Sequence, residues 1–237
     1  MKNIGLIGCG NIAETYFRAQ EYFNNINFVA CADINLDAAK KTADQYNIIP
    51  LSVDEILNDK NVDIILNLTI PQAHYEISKR ALEANKHVYC EKPMSVKFDE
   101  AKELLNLAKK NSLYIGNAPD TFLGGGGQLT RNLIDNNDIG QVLTGNFIFA
   151  FPGVQDFHPS PESWFQEGGG PVIDMGPYFF TTLVNLLGPV KNIRGRGAKF
   201  SDKREYKAGP KKGETFNVEI PTSYMFNIEF QNKAIIQ

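Results

Sequence analysis

The segment Gly8-Cys9-Gly10-Asn11-Ile12-Ala13 has the residue types and spacing to hold a dinucleotide, G-x-G-x-x-A. Glycine at 8 permits a tight turn, glycine at 10 lets a pyrophosphate approach the backbone, and Ala13 lets a helix pack close to a strand. Asn11 and Ile12 lie inside the same turn and belong to the expected contact set. Asp33 ends a second apolar run, about 20 residues past Ala13, where a carboxylate accepts hydrogen bonds from the adenosine ribose hydroxyls. The same charge repels a 2′-phosphate, and Ile34-Asn35 offers no cation to pair with one. NAD is therefore expected in preference to NADP.

Asn67-Leu68-Thr69-Ile70-Pro71 closes a third apolar run. Ligands of open α/β sheets lie outside the carboxyl ends of the strands, so Thr69, Ile70 and Pro71 are expected on the nicotinamide side. His74, in the first turn of the helix that follows, either faces the cofactor or is a capping or packing histidine. The three cysteines, Cys9, Cys31 and Cys90, sit in or beside apolar runs without metal-ligand spacing. They fit buried thiols in a reducing cytoplasm.

The scaffold that positions these residues is legible as alternation. Short apolar runs at Ile4–Ile7, Phe28–Ala32, Val62–Leu68, His87–Cys90 and Leu113–Ile115 read as buried strands. Between them, Asn11–Phe23, Asp37–Tyr46, Val53–Leu57, Gln72–Ala84 and Phe98–Lys110 have helical periodicity. Such alternation implies a doubly wound parallel sheet, a Rossmann domain, over residues 1–119. Beyond Asn117 the pattern changes. A helix is expected at 128–134, a strand over Val142–Phe151, one helix over Val172–Leu187, and long antiparallel strands over Val190–Phe200 and Phe216–Phe230. Residues 120–237 thus read as an α+β domain with an open, mainly antiparallel sheet. The last strand pattern stops abruptly, which suggests a chain truncated at its C-terminus.

Composition narrows the function classes. The 237 residues carry a net charge of -3, and the cations are scattered, so no nucleic-acid partner is expected. The basic residues at 203–212 read as a solvated hairpin tip. No stretch approaches the ~18 consecutive apolar residues of a membrane helix.

Glu91-Lys92-Pro93, directly after the fourth strand, together with the fingerprint, Asn117-Ala118-Pro119 and Gly168-Gly169-Gly170-Pro171-Val172-Ile173-Asp174-Met175-Gly176, resembles the Gfo/Idh/MocA oxidoreductases. The resemblance runs along essentially the whole chain. It implies an NAD(P)-dependent oxidoreductase acting on the CH–OH group of a sugar, inositol or related polyol, and a homo-oligomer associating through the outer face of the second sheet. It adds Glu91, Lys92 and Asn117 to the cofactor set and makes Lys92 the group that meets the substrate hydroxyl. An ammonium there stabilises the negative charge that develops on oxygen as hydride leaves. Many members carry Asp-x-Gly-x-His; here Tyr178 stands in the histidine's place, which makes it the proton-transfer candidate. An ammonium such as that of Lys92 would favour its phenolate. Asp174 is expected four residues before Tyr178 on the same helix face, orienting substrate or tyrosine. Thr181 replaces an acidic residue common in the histidine-bearing members. The same resemblance admits a non-catalytic dinucleotide sensor as the alternative. No metal is expected.

Overall fold

Short apolar runs, most deeply buried in the central strands, form six parallel strands in a computed structural model that describes residues 1–237. The chain divides into two units, Met1–Ala118 and Pro119–Gln237. The first contains β1 (Lys2–Ile7), α1 (Ala13–Ala19), β2 (Ile26–Ala32), α2 (Leu36–Tyr46), β3 (Ile49–Pro50) and α3 (Val53–Asn58), then β4 (Ile64–Asn67), α4 (Pro71–Glu83), β5 (His87–Cys90), α5 (Phe98–Lys110) and β6 (Ile115–Asn117). The strand order is β3-β2-β1-β4-β5-β6, the doubly wound order whose direction reverses between β1 and β4.

The register decides what this sheet can position. Ile7 pairs with Ala32 and Asn67, Asn67 with Cys90, and Cys90 with Asn117. These residues form one row at the carboxyl edge, so Gly8, Asp33, Leu68 and Glu91 all leave the sheet along the same line. Two apolar layers hold the sheet from either side. Ile7, Ala30, Ile56, Ile65, Leu82, Val88 and Leu104 pack on one face, and Leu6, Phe17, Phe28, Cys31 and Leu66 on the other. The first helix is shorter than its periodicity suggests. It ends at Ala19, and the Gln20 side chain instead accepts a hydrogen bond from the Phe28 amide at the start of the next strand run.

The second unit holds α6 (Gly125–Asp135), β7 (Thr144–Gly145), α7 (Gly170–Asp174), α8 (Gly176–Leu187), β8 (Val190–Ala198), β9 (Lys203–Glu205), β10 (Thr215–Asn217), β11 (Ser223–Phe230) and β12 (Ile235–Ile236). Its main sheet runs β7-β12-β11-β8, with only the β7–β12 pair parallel; β9 and β10 form a separate hairpin. Three expectations change here. The strand expected over Val142–Phe151 is only two residues long. The strand expected over Phe216–Phe230 is split, with Pro221 in the gap, as a residue without an N–H does to a ladder. The single helix expected over Val172–Leu187 is broken at Met175, because Pro177 has no N–H to continue the bonding. No helix in either unit is long and apolar enough to cross a membrane.

Candidate active site

The fingerprint turn follows β1. Gly8 has φ +103°, and a Cβ built there would stand 2.6 Å from the carbonyl carbon and oxygen of Leu68. Only glycine fits without moving the loop after β4. A Cβ on Gly10 meets nothing within 4 Å, so the space that its missing side chain leaves is open for a ligand. Asn11 and Ile12 are exposed in the same turn. Asp33, just past β2, ties the turn to the second strand. Its Oδ2 accepts the Cys9 amide at 2.7 Å and its Oδ1 the Asn35 amide at 2.8 Å. A carboxylate has about four acceptor positions, so two remain for ribose hydroxyls. An open glycine cradle beside an oriented carboxylate fits a dinucleotide. The Cys9 thiol is held below its ordinary pKa, chiefly by hydrogen bonding with Cys31, whose own thiol is pushed up.

After β4 the chain turns on a buried polar network. Asn67 has no exposed surface; its Nδ2 donates to the His74 carbonyl and to Ser78 Oγ, each at 3.0 Å. Its Oδ1 accepts from Thr69 Oγ1 at 2.7 Å and from the Thr69 amide at 3.3 Å. Ile70 is exposed, and Pro71 occupies the first turn of α4, where a missing N–H costs nothing. His74 is fully buried, with both ring nitrogens against backbone carbonyls. It therefore stands behind the site, holding other groups, and presents no face to a ligand.

The Glu91-Lys92-Pro93 turn after β5 is pinned from several directions. Glu91 Oε2 accepts the Lys92 amide and Glu91 Oε1 accepts the Tyr16 hydroxyl, both at 2.8 Å. Asn117 Nδ2 donates to the carbonyls of Cys90 and Glu91 at 2.9 and 3.0 Å. The Lys92–Pro93 peptide is cis. Thus Gly8, Gly10, Asp33, Thr69, Glu91, Lys92 and Asn117 are all brought to one end of one sheet. Sequence reading missed Asn67, Ser78 and Tyr16; a lone asparagine closing an apolar run was the available signal for the first.

In the second unit, Asp174 is the last residue of α7 and Tyr178 lies in the first turn of α8. Their four-residue spacing is not that of one continuous helix: the Tyr178 amide donates to Met175 O at 3.2 Å rather than to Asp174. Asp174 has a partner that the sequence did not reveal, the Trp164 indole, whose Nε1–H donates to Oδ2 at 2.9 Å. Trp164 itself packs edge-on against Phe151 and Phe165. Beside it lies a cavity of about 530 Å³ lined largely by aromatic and aliphatic residues, among them Phe147, Phe179 and Phe226. Asp156 accepts from Gln155 Nε2, and His158 Nδ1 accepts the Ser160 amide.

Residues 2–117 match the model of an oxidoreductase family with an NAD-binding Rossmann fold, and residues 128–237 match the Gfo/Idh/MocA C-terminal domain. An uncharacterized oxidoreductase of Schizosaccharomyces pombe is 33% identical over 152 residues, 63% of this chain and 40% of that protein. The inositol 2-dehydrogenase of Salmonella typhimurium is 30% identical over 146 residues, 59% of this chain and 43% of that enzyme. Among solved structures, levoglucosan dehydrogenase in complex with NADH and L-sorbose superposes with a TM-score of 0.85 at 21% identity, over 99% of this chain and 65% of that one. The matched stretch is thus less than two thirds of the length of each of these relatives.

Proposed function

The chain belongs to the Gfo/Idh/MocA oxidoreductase family, and from that premise we propose that it is an NAD-dependent dehydrogenase of a sugar, inositol or related polyol. The observation that carries this reading is the shared carboxyl edge, where the Gly8–Gly10 cradle, Asp33 and the Lys92 turn leave neighbouring strands. NAD, when bound, supplies the hydride acceptor at its nicotinamide C4. Gly10 leaves room for the pyrophosphate, and Asp33 takes the ribose hydroxyls with its two remaining acceptor positions, while its charge disfavours a 2′-phosphate. Thr69 and Ile70 border the nicotinamide side. The Lys92 ammonium stabilises the alkoxide-like oxygen of the substrate. Tyr178 moves the proton, and Asp174, held by Trp164, orients. Relatives that act on inositol and levoglucosan support a ring bearing several hydroxyls as substrate.

In the same proposal, residues 120–237 form the substrate and oligomerisation domain. β11 alternates exposed and more buried residues, and its exposed Met225 supports association of copies through the outer face of that sheet. Three free cysteines, two of them buried, support a reducing cytoplasm.

The test is NADH formation on a panel of sugars and polyols by the purified protein and by Lys92→Ala and Tyr178→Phe. Turnover of one substrate, lost by about 10²-fold or more in each variant with NAD binding retained, is expected. Turnover that survives both substitutions would refute the assignment of roles. NAD binding without turnover on any substrate would favour a dinucleotide sensor.

A further inference from the structure

His74 makes two contacts that one neutral imidazole cannot both use. Nδ1 lies 2.5 Å from the carbonyl oxygen of Pro93, and Nε2 lies 2.9 Å from that of Thr69. A carbonyl oxygen only accepts, and a neutral ring carries hydrogen on one nitrogen only. Two hydrogen bonds therefore require hydrogen on both ring nitrogens. The ring has no exposed surface, so water does not stand in for either acceptor, and a buried polar ring costs stability unless its donors are matched.

The two acceptors belong to different loops. Thr69 O is in the loop after β4, and Pro93 O is in the turn after β5, next to Lys92. The histidine's own backbone is fixed as well, since Asn67 Nδ2 donates to the His74 carbonyl while Asn67 Oδ1 holds Thr69. On the other side of Lys92, Glu91 accepts the Lys92 amide and the Tyr16 hydroxyl. The position of Lys92 along the sheet edge is therefore set from before by Glu91 and from after by Pro93.

We propose that His74 is a positioning residue, a two-sided donor that ties the loop bordering the nicotinamide to the turn carrying Lys92 so that the two hold one spacing. The proposal rests on the reading of Lys92 as the group that meets the substrate oxygen. It separates the two bonds by consequence. The Pro93 bond sets Lys92 and is read in kcat. The Thr69 bond sets the loop beside the nicotinamide and is read in the KM for NAD.

Two measurements test it. The first needs no variant: ¹⁵N NMR of the histidine side chains, with the His74 signals identified by their absence in His74→Gln. Both ring nitrogens are expected to carry slowly exchanging hydrogens; a ring with one bare nitrogen would overturn the two-sided bridge. The second uses three substitutions. His74→Asn keeps an amide donor near the Nδ1 position, His74→Gln keeps one near Nε2, and His74→Phe keeps the ring volume with no donor. The asparagine variant should hold kcat while the KM for NAD rises about tenfold, the glutamine variant should hold that KM while kcat falls about tenfold, and the phenylalanine variant should lose both. A merely structural histidine would lower the folded fraction and leave both constants of the folded protein alike in all three, which would refute the role. If the parent protein binds no NAD, the functional reading fails with it, and the ¹⁵N spectrum still decides whether the bridge exists.

Discussion

Replacing Gly8 and Gly10 one at a time with alanine separates the geometry of the turn from the space it leaves. At position 8 the new methyl stands 2.6 Å from the carbonyl carbon and oxygen of Leu68 and 2.8 Å from the Thr69 amide nitrogen. Non-bonded heavy atoms settle near ~3.5–4.0 Å, and all three neighbours are backbone, so relief requires the loop after β4 to retreat by about 1 Å. The φ of +103° adds its own cost. Strained backbone of this kind costs about 1–3 kcal/mol and overpacking about 1–3 kcal/mol more, so Gly8→Ala should lose about 2–6 kcal/mol of unfolding free energy. At position 10 the methyl meets no atom within 4 Å and φ is not in the left-handed region. Gly10→Ala should therefore stay within about 0.5 kcal/mol of the parent. The same methyl fills the approach of the pyrophosphate and should weaken NADH binding at least tenfold, about 1.4 kcal/mol. Urea unfolding and fluorescence titration with NADH on both variants read the two effects. A Gly10→Ala protein that binds NADH like the parent would refute the cradle, and an unshifted urea midpoint for Gly8→Ala would refute the turn argument.

Asp33→Ser removes the carboxylate that faces the ribose position and the acceptor of the Cys9 amide; NAD affinity should fall about tenfold and its preference over NADP should narrow, as competitive titration of the two cofactors would show. Trp164→Phe keeps a ring against Phe151 and Phe165 but deletes the N–H to Asp174. It should cost about 1 kcal/mol of stability and reduce kcat/KM for the sugar substrate without changing the Kd for NADH. Glu162 accepts from the Tyr206 hydroxyl and Lys211, which hold its carboxyl at about 2 instead of 4.5. A depressed carboxylate stabilises the fold above its ordinary pKa and loses that contribution as pH falls from about 4.5 to about 2. The side chain is 29% exposed, so the contribution stays below about 1 kcal/mol. Urea midpoints of the parent and Glu162→Gln should converge across that window.

Why some of this was readable in the sequence and some not follows from where the hydrogen-bond acceptors are. Parallel strands covered on both faces must be apolar throughout, so Ile4–Ile7 and Phe28–Ala32 announce themselves, and glycines at a strand end have few other uses. The register then places Gly8, Asp33, Thr69 and Lys92 together without further information, because equal strand ends bring their next residues to one edge. The second unit was less legible because its sheet is open. Its exposed strand β8 carries Val190, Ile193 and alternating Gly and Arg, a pattern that fixes neither register nor length, and Pro177 breaks a helix whose apolar periodicity runs on across the break. His74 was illegible for a different reason. Its partners are the carbonyls of Thr69 and Pro93, and every residue has a carbonyl, so side-chain chemistry gives no sign of which two it will reach. Asn67 and Asn117 act in the same manner on the carbonyls of His74, Cys90 and Glu91. The residues that touch ligand are thus marked by type, while those that place them are marked only by the backbone they hold. A polar side chain at a strand end with no exposed surface, as Asn67 has, is the signal to seek for the second kind, since burial without a partner would cost more than the fold can spare.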